Sequence, residues 1–178
     1  MADRLLLNQD QIRRAIVRIA HEIMEHSRGI DEVVLVGIHT RGVTLAQRLS
    51  YRIGEFENAK PAVGSLDVGL YRDDILGGAK PLMQATNIPV KIEGQLVVLV
   101  DDVLYTGRTI RAAMDALTDF GRPRQIQLAA LIDRGHRELP IRADYIGKNA
   151  PSSEDDIVRV RLQEIDGTEE VVIARKIP

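Results

Sequence analysis

Residues 97–109, VVLVDDVLYTGRT, decide how the chain is read. Val97 to Val100 form a continuous apolar, largely β-branched run, the pattern of a strand buried on both faces. Two carboxylates, Asp101 and Asp102, follow at the strand's end. Val103, Leu104 and a Tyr105-Thr106-Gly107 turn then lead to Arg108 and Thr109, where a helical pattern opens. A glycine-containing loop that feeds a helix offers its amides to an anion, and two threonine hydroxyls add donors. That cradle suits a monoester phosphate. The two acids would repel a phosphate, so they face something about one sugar away. Ribose hydroxyls fit there, because an ionised carboxylate only accepts. The string describes a ribose 5-phosphate site. Neither GxxxxGK[ST] nor GxGxxG occurs, so the nucleoside-triphosphate and dinucleotide fingerprints are absent.

Outward from this stretch, the chain alternates helical and strand patterns. Ile12, Ala15, Ile16, Ile19, Ala20, Ile23 and Met24 recur at helical spacing, predicting a helix over about 8–27 with Asn8 and Gln11 as a capping pair and Gly29 as its stop. VVLVGI (33–38) reads as a buried strand, HTRG (39–42) as a loop, and 43–53 as a second helix. SLDVGLY (65–71) alternates as a strand does. Residues 72–95 carry several glycines, prolines and acids, the composition of a lid or binding loop. A helix is predicted over 108–120, a buried strand over 126–132, and short strands near 144–146, 157–162 and 171–174. This order argues for an α/β fold with a mostly parallel sheet covered on both faces. Ligands of such sheets sit beyond the strands' carboxyl ends, where HTRG, DDVLYTGRT and DRGHRE (133–138) all fall.

Composition narrows the function classes. With 178 residues and 44% of them hydrophobic, one substantial core is expected, as a single domain over 1–178. Lys and Arg total 24 against 26 acids, so any nucleic-acid face must be local. The absence of cysteine excludes disulfides and thiolate metal sites and fits a reducing cytoplasm. No signal peptide opens the chain and no run approaches a membrane span, so a cytoplasmic protein without membrane contact is expected. Without tryptophan and with only two phenylalanines, aromatic platforms for single-stranded nucleic acid are thin.

VVLVDDVLYTGRT resembles the PRPP-binding motif of the type I phosphoribosyltransferases. IRRAIVRIAHEI, VLVGIHTRGVTLAQRL, LDVGLYRDD, IRAAMDAL, GRPRQIQLA and LIDRGHRELPIRADYIGKN extend the resemblance over nearly the whole chain. They are similar to the bifunctional pyrimidine-operon attenuator and uracil phosphoribosyltransferase family (PyrR). The resemblance implies a mostly parallel twisted sheet flanked by helices, a flexible lid loop (about 72–95) and a small hood built from segments of 133–178 with the N-terminal region. It implies the reaction uracil + PRPP → UMP + pyrophosphate with Mg²⁺ bound mainly through PRPP, no dedicated protein metal site, and assembly as a dimer or higher oligomer. It also implies binding of pyrimidine-gene leader RNA under control of UMP or UTP.

The residue roles implied are these. Asp101 and Asp102 take the ribose hydroxyls and support positive charge on the ring; Val103, Leu104, Tyr105, Thr106, Gly107, Arg108 and Thr109 complete the PRPP motif, with Leu104 to Thr109 on the 5-phosphate. Thr40, Arg41 and Gly42 hold pyrophosphate. Arg72, with Lys80, reaches the leaving group from the lid, and Arg72 is grouped with the two aspartates as catalytic. Arg134 and backbone near Ile146 and Val158 read the base, whose two carbonyls and ring N–H groups need hydrogen-bond partners. Arg14, His21, Arg137, Arg142 and Lys148 are the RNA candidates. The chain departs from the family at SSEDD (152–156), where a basic position is replaced, and at Val17 and His26, where Thr and Arg are frequent. These departures weigh against RNA binding more than against catalysis. Two alternatives stay open: a nucleotide-sensing RNA regulator with little turnover, and a phosphoribosyltransferase for another base.

Overall fold

The computed structural model describes residues 3–71 and 84–175. Its centre is a five-stranded, wholly parallel sheet in the order β3-β2-β4-β5-β6. These strands are β2 (Val33–Ile38), β3 (Ala62–Leu66), β4 (Leu96–Leu104), β5 (Gln125–Asp133) and β6 (Tyr145–Asn149). Every residue of β2 is buried, as its continuous apolar run requires. α1 (Gln9–His26) and α2 (Arg41–Glu57) cover one face, and α3 (Arg108–Leu117) packs into the core on the other. The sequence-predicted α/β architecture is the observed one.

α1 starts where its capping chemistry places it. The Gln11 amide donates to Asn8 Oδ1 and the Asn8 amide to Gln11 Oε1, both at 2.9 Å, a reciprocal box that satisfies two helix-end donors. Ile12, Ala15, Ile16, Ile19, Ala20 and Ile23 are buried, and Met24 lies at the edge of the same cluster. The helix ends at His26, with Ser27 closing it, so Gly29 is not its stop.

Four expectations change. First, β4 does not end before the acids. It runs on to Leu104, pairing Asp101 with Ala130 and Leu104 with Asp133 on β5, so both carboxylates are strand residues. Second, Arg41 and Gly42 form the first turn of α2, which extends to Glu57, beyond the expected helix. Third, SLDVGLY is strand only to Leu66. The Asp67 carboxylate accepts from the Gly69 amide at 2.9 Å and Tyr71 N–H donates to Val68 O at 3.0 Å, so the alternation ends in a turn. Fourth, α3 stops at Leu117 and Thr118–Phe120 tighten into a 3₁₀ turn.

A second sheet packs into the core on the α1–α2 side, through Leu7, Val160 and Val171. It is antiparallel, in the order β1-β8-β7, from β1 (Arg4–Asn8), β7 (Asp156–Arg161) and β8 (Glu170–Arg175). β1 has no counterpart among the strands expected from the sequence. A four-residue helix, α4 (Gln163–Asp166), joins β7 towards β8.

Candidate active site

Two strand-to-helix junctions, β2–α2 and β4–α3, lie side by side at one sheet edge. β2 and β4 are paired neighbours, with Gly37 opposite Val100. Neither N-cap residue, Thr40 or Gly107, caps its helix through a side chain, although the Arg108 amide donates to Thr106 Oγ1 at 3.3 Å. Gly42 lets the first turn of α2 pack directly on β4. A Cβ built there would lie 2.3 Å from Val100 O and 3.4 Å from Asp101 Cα, so only glycine allows this approach. Gly42 is thereby brought against the backbone of the first of the two acids.

Asp101 is 8% exposed and Asp102 half-buried. Asp101 Oδ1 accepts the Asp102 amide at 2.9 Å, and Asp102 Oδ1 accepts the Val103 amide at 2.8 Å. Each carboxylate thus holds a fixed orientation through one oxygen. Beyond them a cavity of about 420 Å³ is lined by Asp101, Tyr105, Thr106, Gly107, Arg108 and Thr109, with Glu138 at its rim. Gly107, at φ +93°, is the residue from which α3 starts. The loop is braced from behind: Thr106 O accepts the Glu138 amide at 2.9 Å and the Leu139 amide at 3.2 Å. Arg108 Nε donates to Glu138 Oε2 at 2.5 Å, which offsets the charge of an acid that lines the same cavity. Sequence reasoning missed Glu138, which carries no motif of its own.

The third loop joins through Arg134. Its amide donates to Leu104 O at 3.1 Å, and its guanidinium lies 4.1 Å from the Tyr105 ring centroid. Arg134 is 6% exposed, and its NH2 group donates to Ser153 O at 2.8 Å. Among the described residues its buried Nε has no acceptor. Ile146 stands in one row with Asp101 and Ala130 across three strands, about 10 Å from Asp101 at two strand spacings. Its carbonyl accepts Arg18 NH2 at 3.0 Å. Val158 packs against the α1–α2 face of the core and Ile146 against the opposite one, so their side chains do not converge.

Thr40 Oγ1 accepts Gln84 Nε2 at 3.3 Å. Arg41 is engaged by Asp166 of α4, at 2.7 Å from its NH2 group and 3.3 Å from Nε. Arg72 and Lys80, with the first half of the expected lid (72–83), lie outside the described residues.

The five RNA candidates do not share one surface. Arg14 and Lys148 line a groove between α1 and edge strand β6, together with Gln11 and Arg18. His21 stacks on Phe56 of α2, with ring centroids 4.1 Å apart. Arg137 is spent on scaffold contacts, donating to Ile141 O and Tyr105 O at 2.8 Å each and to Asp133 Oδ2 at 2.5 Å. Arg142 stands near Met114 and Asp144 on the other face. Among the described residues no group of three or more acids or histidines is placed to hold a metal, and no helix is long and apolar enough to cross a membrane.

A family model for the phosphoribosyl transferase domain matches residues 5–165. A bifunctional protein PyrR from Chloroflexus aurantiacus is 59% identical over 174 residues, covering 97% of this chain and 96% of the relative. One from Halalkalibacterium halodurans is 55% identical over 176 residues, covering 97% and 98%. Among solved structures, the hypoxanthine phosphoribosyltransferase of Trypanosoma cruzi superposes with a TM-score of 0.74 at 19% identity, covering 98% of this chain and 97% of that one. That of Staphylococcus aureus gives 0.71 at 20% identity over 95% and 90%. At this identity the structural likeness speaks for the fold.

Proposed function

The chain belongs to the phosphoribosyl transferase family and is a relative of the bifunctional PyrR proteins, and from that premise we propose that it converts uracil and PRPP to UMP and pyrophosphate and regulates pyrimidine genes. The observation that carries the catalytic half is the close packing of the first turn of α2 on β4 at Gly42, beside Asp101 and on the strand that leads through Asp102 to the Tyr105–Thr109 loop. PRPP carries phosphate groups on both sides of one ribose. A site for it needs two anion cradles a sugar apart with acceptors between. The β4–α3 cradle takes the 5-phosphate, the β2–α2 turn takes the pyrophosphate, and the aspartates take the ribose hydroxyls.

In the reaction, uracil N1 forms a bond to the anomeric carbon as the bond from that carbon to pyrophosphate breaks. The N1 proton is lost and pyrophosphate departs with the electron pair. Positive charge builds on the ring in between, and Asp101 and Asp102 lie where it is stabilised. Their orientation is preset by the Asp102 and Val103 amides, so little reorganisation is needed. No side chain has to act as a nucleophile. The donor set fits Mg²⁺ only as a substrate-borne ion: two adjacent carboxylates, Asp101 and Asp102, offer oxygen ligands without a three-sided cage. An ion carried in by PRPP in this way would supply neutralising charge for the leaving pyrophosphate.

Three features of Arg134 support its reading as the base contact. Its plane is fixed by Tyr105, one nitrogen is anchored on Ser153 O, and its buried Nε is a donor in want of a carbonyl. RNA binding by this chain would rest on the Arg14–Lys148 groove more than on Arg137, whose donors are consumed by the scaffold.

The Asp101→Asn, Asp102→Asn pair tests the catalytic reading. Each amide retains an oxygen to accept the neighbouring backbone N–H, so the fold should survive. Turnover should fall at least about a hundredfold per carboxylate, and PRPP binding should weaken with it. Unchanged turnover would remove the basis for the assignment.

A further inference from the structure

We propose that Asp166 is a positioning residue for the pyrophosphate half of the site: it occupies Arg41 as an internal anion, and PRPP or pyrophosphate must displace it. The inference rests on the reading of Arg41 as a pyrophosphate contact. Arg41 stands in the first turn of α2, next to the glycine that touches Val100, at the place assigned to the leaving group. Its guanidinium is engaged in the forked manner in which arginine grips a carboxylate or a phosphate, with contacts of 2.7 and 3.3 Å to the two Asp166 oxygens. A carboxylate therefore sits where one edge of the pyrophosphate would dock.

The surroundings suit a displaceable partner. Arg48 lies seven residues along α2, on the same face by helical spacing, and also grips the hood turn. It reaches Glu164 at 2.8 and 2.6 Å and Glu169 at 2.6 and 3.1 Å. With two carboxylates on Arg48, the turn stays bolted to α2 when Asp166 lets go. Asp166 also has a second task that does not need Arg41, because its Oδ2 accepts the Leu162 amide at 2.8 Å. The pair is partly exposed, with side chains 32% and 20% accessible, so solvent weakens it and a multiply charged anion can outbid it. Asp166 therefore raises the concentration of PRPP needed to fill the site and helps expel product pyrophosphate, which leaves with Arg41 already matched.

The test is binding and steady-state kinetics on Asp166→Asn in the full chain. The amide still accepts from Leu162 but cannot match a guanidinium charge. Expected is a tightening of both PRPP and pyrophosphate of about two- to fivefold, the range an exposed ion pair spans. UMP carries no pyrophosphate, so its affinity should not move, and KM for PRPP should fall more than kcat changes. Glu164→Gln makes the same charge change in the same turn without touching Arg41, and should leave PRPP and pyrophosphate affinity as they were. Asp166→Ser, which also keeps an acceptor for Leu162, carries the same expectation should the asparagine variant fold poorly. If Asp166→Asn or Asp166→Ser leaves pyrophosphate affinity unchanged or weakens it, while Arg41→Ala weakens PRPP, the displacement role is wrong and the Arg41 assignment stands. If Arg41→Ala leaves PRPP affinity intact, the Arg41 assignment itself has failed.

Discussion

Gly42 and Arg134 show how much of the site depends on one atom or one plane. A methyl group at position 42 would lie 2.3 Å from Val100 O, and the obstacle is backbone that cannot rotate aside. Gly42→Ala should therefore cost about 1–3 kcal/mol of stability. It should also lower kcat/KM for PRPP about a hundredfold, because the pyrophosphate turn is pushed off the acids. Thermal unfolding together with PRPP kinetics checks both; a stable variant with wild-type kinetics would mean α2 need not pack this closely on β4. Arg134→Lys keeps the charge but loses the flat contact with Tyr105 and the Nε donor. KM for uracil should rise about tenfold while KM for PRPP stays within about twofold. An equal effect on both substrates would make Arg134 a general support of the loop. At this scale the sequence was partly legible. The PRPP loop is contiguous, so strand, acids and glycine announce each other. Asp166 has no such neighbours; its partner Arg41 is 125 residues away, and only folding brings them together.

Among elements, α2 does the most to couple site and hood. It starts at the pyrophosphate turn and carries both arginines that hold the 163–169 segment. The Arg41 guanidinium holds the Asp166 carboxyl below its ordinary range, with the Leu162 amide and the Arg161 charge adding to it. Arg48 does the same to Glu164, and Glu164 in turn raises Arg48. Depressed carboxyl values fix the sign: the folded state prefers the ionised form. The stabilisation is fully present above the ordinary carboxylate pKa of about 4 and is lost as pH falls through the lower folded values. Amide exchange at β8 and α4 should accelerate below about pH 4 ahead of exchange at β4, and the Glu164→Gln, Asp166→Asn pair should flatten that difference. Uniform protection loss across both sheets would show that these pairs do not set the hood's local stability. Helix bounds were read well where a side-chain cap marks them, as at Asn8, and less well where only a glycine did, as at Gly29. They were misread at Arg41 and Gly42, because a first turn pressed on a strand looks like a loop when only spacing is visible.

At the scale of the whole molecule, the parallel sheet was legible because its three central strands, β2, β4 and β5, carry apolar runs, whereas β3 (AVGSL) and β6 (YIGKN) do not. The hood was less so. β1 is a short run that gains a role only by pairing with β8, which lies near the other end of the chain, and no local pattern announces such a pairing. The two sheets divide the work: the parallel one aligns three loops at its edge, and the antiparallel one supplies Asp166 through the turn between β7 and β8. Opposite this division stands the open matter of the base. The chain shares its fold with hypoxanthine phosphoribosyltransferases and its sequence with PyrR proteins, and on the proposed reading the Arg134 region is where the base is told apart. The most direct measurement is nucleotide formation from PRPP and Mg²⁺ with labelled uracil, run beside hypoxanthine, guanine and orotate. UMP formation from uracil, with the other three bases inert, is the predicted result. Turnover of a purine in preference to uracil, or no turnover of any base by a folded protein that binds PRPP, would contradict the account.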